Sequence, residues 1–211
     1  MWFDFTAAFQ AGYEFQGIPF YAVTLGDLVL PTGRIVACDP LACPDTPAFT
    51  RTVSPGSYPV ALAIAVMPNA DERVGFAMLT LSDAKVAAWE PAFLPGEDAT
   101  TLEAGEFFGY GVDAGVGCFM DEEAQRLLLA RLDALPVDQN YYDEVLRHEL
   151  GKNYKHTREW ALHRPHATDP VNVAVFSSGW GDGCYTSWFG LDAHGRLAVL
   201  VTDFQTIDLQ G

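Results

Sequence analysis

The sequence predicts an α+β fold: a largely antiparallel, sandwich-like sheet with a two-helix insertion around residues 121–163 and a C-terminal three-stranded meander. Three observations predict it. Short apolar segments separated by proline and glycine turns fill the first 120 residues. A helical period begins only at Asp121, and strand-like segments return from Val171 to Phe204.

The elements follow in order. After an aromatic-rich opening, "LVLPTGRIVACDPL" reads as strand, Pro-Thr-Gly turn and strand, closed by Asp39-Pro40. "DTPAFTRTVSPGSYP" is a proline-punctuated loop. In "YPVALAIAV", Val60, Leu62, Ile64 and Val66 share one face and alanines the other, so another layer should pack closely on the small face. "RVGFAMLTLSD" and "AKVAAWEPAFL" are two strands read as a hairpin through Ser82-Asp83-Ala84. "DEEAQRLLLARLDAL" carries acids in its first turn and apolar residues at 124, 127, 128, 132 and 135, with Pro136 as its stop. A second helix, "YYDEVLRHEL", has Asn140 as cap and Gly151 beyond its end. Strands at 171–178, 184–192 and 196–204 complete the meander. No linker divides residues 1–211, which read as a single domain.

The chain has 49% hydrophobic and 19% charged residues, a balance that supports a packed core without staples. The N-terminus does not read as a signal peptide, and the longest apolar run is too short for a bilayer, so a cytoplasmic protein is expected. The four cysteines lack zinc spacing and are expected as buried free thiols. Charge is the dominant signal: 28 acids against 12 bases, a net of −16. Residues 1–120 carry 14 acids and 4 bases, whereas seven of the bases fall between Arg126 and Arg164. Such a surface excludes nucleic acid and anionic membranes as partners and suits a basic protein or divalent cations.

Two glycine-rich segments are the candidate sites. In "SSGWGDGCYTSWFGLD", Asp182-Gly183 suits a turn, and pairing Asp192 with Arg196 puts Asp203 across from Tyr185, give or take one residue. Asp203 then closes an apolar face, a costly place for a carboxylate without a partner. Trp180, Gly181, Gly183 and Tyr185 are candidate ligand contacts; the alternative is a turn network in which the aspartates cap backbone. In "GYGVDAGVGCFMDEEA", Gly111 and Gly115 flank Asp113 and are candidate ligand contacts, where backbone can approach closely; the alternative is a glycine bulge that turns the strand. The resemblance to a dinucleotide-binding fingerprint fails because no helix opens at its third small residue. Asp113, Asp182 and Asp203, with Asp39, are candidate hard-oxygen ligands for magnesium or manganese, and Arg34 is a candidate phosphate contact. The histidines at 148, 156, 163, 166 and 194 match no catalytic pattern and are expected at the surface.

Three blocks, "LPTGRIVACDPL", "GEFFGYGVDAGVGCFMD" and "SGWGDGCYTSWFGLDAHGRLAVLVTDF", resemble the family known as domain of unknown function 4241. That family more often continues Gly-Asp-Gly with Tyr-Pro, where Tyr185 here precedes Thr186. The resemblance implies kinship and no particular reaction. Two functions are therefore expected. The first is an acidic binding module, immunity-type or otherwise partner-binding. The alternative is a metal-dependent phosphoester hydrolase with Asp113, Asp182 and Asp203 as its catalytic set.

Overall fold

The structure, a computed structural model, describes residues 3–103 and 105–209. A short 3₁₀ turn, Phe5–Phe9, leads into twelve strands. They are β1 (Glu14–Phe15), β2 (Ile18–Leu30), β3 (Ile35–Cys38), β4 (Gly56–Val66), β5 (Glu72–Thr80) and β6 (Ala88–Pro91). Then follow β7 (Tyr110–Val112), β8 (Val116–Asp121), β9 (Trp160–His163), β10 (Val173–Ser177), β11 (Gly183–Leu191) and β12 (Leu197–Asp203). Between β8 and β9 lie α1 (Glu122–Asp133) and α2 (Arg147–Gly151), the latter entered through a π-helical turn, Tyr142–Leu146. Among the described residues no helix is long and apolar enough to cross a membrane.

Every strand pairing is antiparallel, as expected. The larger sheet runs β1-β2-β4-β5-β12-β11-β6, with β7 added on β11; the smaller runs β3-β8-β10-β9. Partner choice departs from the sequence reading in two places. The expected meander divides: β11 and β12 form its hairpin, while β10 belongs to the smaller sheet, between β8 and β9. The expected hairpin through Ser82-Asp83-Ala84 opens, because β12 and β11 stand between β5 and β6. Both corrections have one cause. Alternation specifies which face is buried, and it is silent about which neighbour supplies the hydrogen bonds.

Four layers result. The two sheets enclose a central core that includes Leu28, Leu62, Phe119, Phe176, Phe189 and Phe204. Outside the smaller sheet, Val36, Met120, Val173 and Val175 meet α1, the π-helical turn and α2 through Ala124, Leu128, Leu146 and Leu150. Outside the larger sheet, Ala63 and Ala65 meet Phe5, Phe20 and Phe76, so the alanine face is covered by the aromatic N-terminal segment. This is the close layer that the small side chains predict. Because the smaller sheet is covered on both faces, β3 and β8 are buried at every position.

Where the chain changes sheets between β2 and β3, the Asp121 carboxylate takes up the turn. It accepts the backbone N–H of Thr32 and Gly33, each at 3.1 Å, and caps α1 through Glu123 N–H at 2.9 Å. Gly33 has φ +71°, and a Cβ there would lie 1.9 Å from the Val53 carbonyl oxygen, so only glycine fits. A second tie holds the segment after α2 to the larger sheet. Buried Arg158 donates to Glu72 at 3.2 Å and to the Tyr21 hydroxyl at 2.8 Å, while Tyr21 donates to Glu72 at 2.5 Å. Burial alone would raise the Glu72 carboxyl, but hydrogen bonds from Tyr21 and Lys155 outweigh it and hold the group below its ordinary range.

The corner yields a stability prediction. Asp121→Ala leaves three backbone donors without their acceptor and should lower the unfolding free energy by about 3 kcal/mol. Glu122→Ala, which removes only an exposed ion pair with Arg34, should cost less than about 0.5 kcal/mol. Urea titrations giving equal losses for both would show that the Asp121 carboxylate does not hold the corner.

Candidate functional site

The β11–β12 ladder sets Thr186 opposite Asp203 and Trp188 opposite Val201, all on the outer face of the larger sheet. The observed register lies one residue from the expected pairing with Tyr185. Around this floor stand Phe3 and Phe5 from the N-terminal segment, Phe107 from the loop before β7, and Ile207 and Leu209 after β12. Together they border a groove of about 840 Å³. Its described lining includes three carboxylates, Glu106, Asp203 and Asp208, and no lysine, arginine or histidine.

Asp203 is buried, and one oxygen accepts the Gln205 N–H at 2.8 Å. Burial raises its carboxyl to about 6, against the opposing pull of the Gln205 hydrogen bond. Beside it the rings of Phe5 and Trp188 stack at 6.0 Å, and Phe107 is 47% exposed. An ionised carboxylate on an aromatic floor is the chemistry that receives a cation, through charge and through the π faces.

The other expected site residues are distributed elsewhere. Asp39 is buried, and all its acceptance goes to backbone: Leu41 and Ala42 N–H at 2.9 and 3.0 Å, Asp113 and Ala114 N–H at 3.0 and 2.7 Å. Asp113 is exposed and meets Asp39 through its N–H. Gly183 pairs with Val112, so Asp182 and Asp113 leave the same end of the β7–β11 ladder, and both are exposed. Gly111 pairs with Cys184, Gly115 takes φ +70°, and Gly181 takes φ +109°, all as turn or ladder positions. The Tyr185 side chain points into the central core, where its hydroxyl donates to the carbonyls of Ser178 and Gly181 at 3.1 and 2.8 Å. Trp180 lies outside the groove, 55% exposed, with the Arg73 guanidinium 4.6 Å from its ring centre. Arg34 pairs with Glu122 at 2.9 Å. Among the described residues no group of three or more His, Cys, Asp or Glu side chains is placed to hold a metal ion. The single aspartate site that the phosphoester reading requires is therefore not assembled.

Several residues matter that the sequence did not single out. His163, expected at the surface, is buried; its Nδ1 meets Glu149 at 2.9 Å and its Nε2 meets the Tyr141 hydroxyl at 2.6 Å. Burial lowers the imidazole below its ordinary range despite Glu149, and burial raises the Tyr141 phenol to about 12. A neutral ring then donates from Nδ1 to the Glu149 carboxylate and accepts the Tyr141 proton at Nε2. Asp192 closes the β11–β12 turn, held at about 2 by backbone and side-chain hydrogen bonds from Arg196. Cys184 is exposed and Cys43 half-buried, so only Cys38 and Cys118 match the expected buried thiols.

Asp203 gives a prediction with a definite sign. Its folded carboxyl titrates above the unfolded one, so the native state keeps a proton between about pH 4 and 6 that the unfolded chain releases, and stability falls as pH rises through that window. Asp203→Asn should therefore raise the unfolding free energy at pH 7.5 by about 2 kcal/mol and leave it unchanged near pH 4. Equal stability of the two proteins at both pH values would contradict the assignment of Asp203 as a strained carboxylate.

No curated protein and no solved structure matches the chain. The family described as "Protein of unknown function (DUF4241)" matches residues 28–202, a span containing β3 to β11 and Trp188 of the groove floor. The chain belongs to the DUF4241 family.

Proposed function

We propose that the protein is a non-catalytic binding module that receives a basic segment of a partner protein in the aromatic groove, with a lysine or arginine side chain on Asp203. The observation that carries this reading is the placement of Asp203: a buried carboxylate with one backbone donor, on the floor of a groove whose described lining holds no cation. Burial there opposes the ionised form, and the hydrogen bond it accepts from Gln205 N–H is one that asparagine would accept as well. An incoming ammonium or guanidinium supplies the missing counter-charge, and Trp188 and Phe107 supply apolar and cation–π contact. The net charge of −16 supports the same reading, since it speeds encounter with a basic partner. Neutralising a basic protein, as immunity-type proteins do, is one role this module can fill in the cytoplasm.

The test uses a labelled hexa-arginine peptide followed by fluorescence anisotropy. Asp203→Asn should weaken binding at least about tenfold, whereas Asp83→Asn, an exposed acid outside the groove, should change it by less than about twofold. Wild-type affinity should also fall about tenfold between pH 7.5 and pH 5, as Asp203 takes up its proton. Equal loss in both variants, or a pH profile that breaks only near pH 4, would reduce the interaction to diffuse surface charge.

A further inference from the structure

Cations are scarce in this chain, and most are spoken for. Arg34, Arg51, Arg73, Arg126, Arg147, Lys155, Arg158 and Arg196 each form an ion pair with a carboxylate. Among the described residues, the lysines and arginines without one are Lys85, Arg131, Lys152 and Arg164. Three of these four line a single pocket of about 560 Å³ in the helical layer, together with His166, Asn153 and Glu149. With 28 acids in the chain, cations gathered without carboxylate partners are the unexpected arrangement.

Two further features mark the pocket. The Arg131 Nε is buried and has no hydrogen-bond partner among the described residues, a donor left over by the fold itself. The one acid of the wall, Glu149, is already engaged by the His163 ring, which Tyr141 fixes from the other side. Glu149 therefore stands as an oriented acceptor rather than a counter-ion for the three cations. Arg164 is held in place by a hydrogen bond to the Asp169 carbonyl, and Ala161 and Pro165 give the pocket an apolar side.

We propose that this pocket binds a small oxyanion of at least two negative charges, a phosphate ester or a polycarboxylate, with Arg131, Lys152 and Arg164 as its charge partners. Guanidinium groups suit both anions, because each presents paired oxygens at the spacing of the N–H fork. Glu149 then accepts from a hydroxyl of the same ligand, which favours a hydroxylated molecule over a bare ion. This site is separate from the aromatic groove and stands on different residues.

Isothermal titration of the full chain with sodium pyrophosphate and, separately, with citrate tests the proposal, with ionic strength held constant by sodium chloride. One site should appear with at least one of the two anions. Lys152→Ala and Arg164→Ala, both at exposed positions, should each weaken it about tenfold. Arg131→Lys, which keeps the charge and loses the fork, should also weaken it, while Lys85→Ala and Asp203→Asn should leave it unchanged. Binding of pyrophosphate alone assigns phosphate esters, and binding of citrate alone assigns polycarboxylates. No heat beyond dilution with either anion, or equal loss in Lys85→Ala and Lys152→Ala, would overturn the proposal.

Discussion

Each passage of the chain between the two sheets turns backbone groups away from strand partners at the edge of the central core, and side-chain oxygens built into the sequence take them up. Asp121 does so for the turn between β2 and β3, and Asp39 joins the turn after β3 to the one between β7 and β8. Between β10 and β11 the roles reverse: the Tyr185 and Ser178 hydroxyls donate to carbonyls of the turn. An unpaired backbone group in such a place costs as much as a lost hydrogen bond, so these few side chains set where the chain can switch sheets. The central core follows from them, because Phe119, Phe176 and Phe204 meet only if both sheets are brought face to face.

The same constraint explains what could be read from the sequence. Periodicity located most of the longer strands and both helices but left β9 inside the expected helical insertion, and the alanine stripe of β4 announced the close layer that covers it. The hairpin β11–β12 was legible to within one residue, because Asp192 and Gly195 form a turn that fixes register locally. The placement of β10 was not, since its pairing with β8 and β9 is decided by contacts from distant segments. Its near-continuous apolar run, buried on both faces, was the available signal that it lies in an inner sheet rather than in a meander edge.

Aspartates were the hardest residues to read, and the reason is chemical. A carboxylate that accepts backbone N–H groups in a glycine turn and one that awaits a ligand occupy the same kind of sequence. Asp39 and Asp203 illustrate the difference, which lies only in what surrounds them. Asp39 accepts from four backbone N–H groups, whereas among the described residues Asp203 has Gln205 alone and opens into the groove. His163 was misplaced for a related reason: its partners Tyr141 and Glu149 lie across the π-helical turn, and no short motif joins the three.

The linear charge pattern becomes a spatial one through the layer order. Residues 1–120 carry 14 acids and 4 bases and build most of the larger sheet with its outer cover. The segment from Arg126 to Arg164, with seven bases, builds the helical layer outside the smaller sheet. Two sheets and the central core therefore separate the cation-lined pocket from the acid-lined groove. Within the helical layer the neighbouring acids are engaged elsewhere, Glu149 by His163, Asp143 by Arg147 and Glu123 by Arg126, so three arginine and lysine side chains of the pocket stay without an ion pair among the described residues.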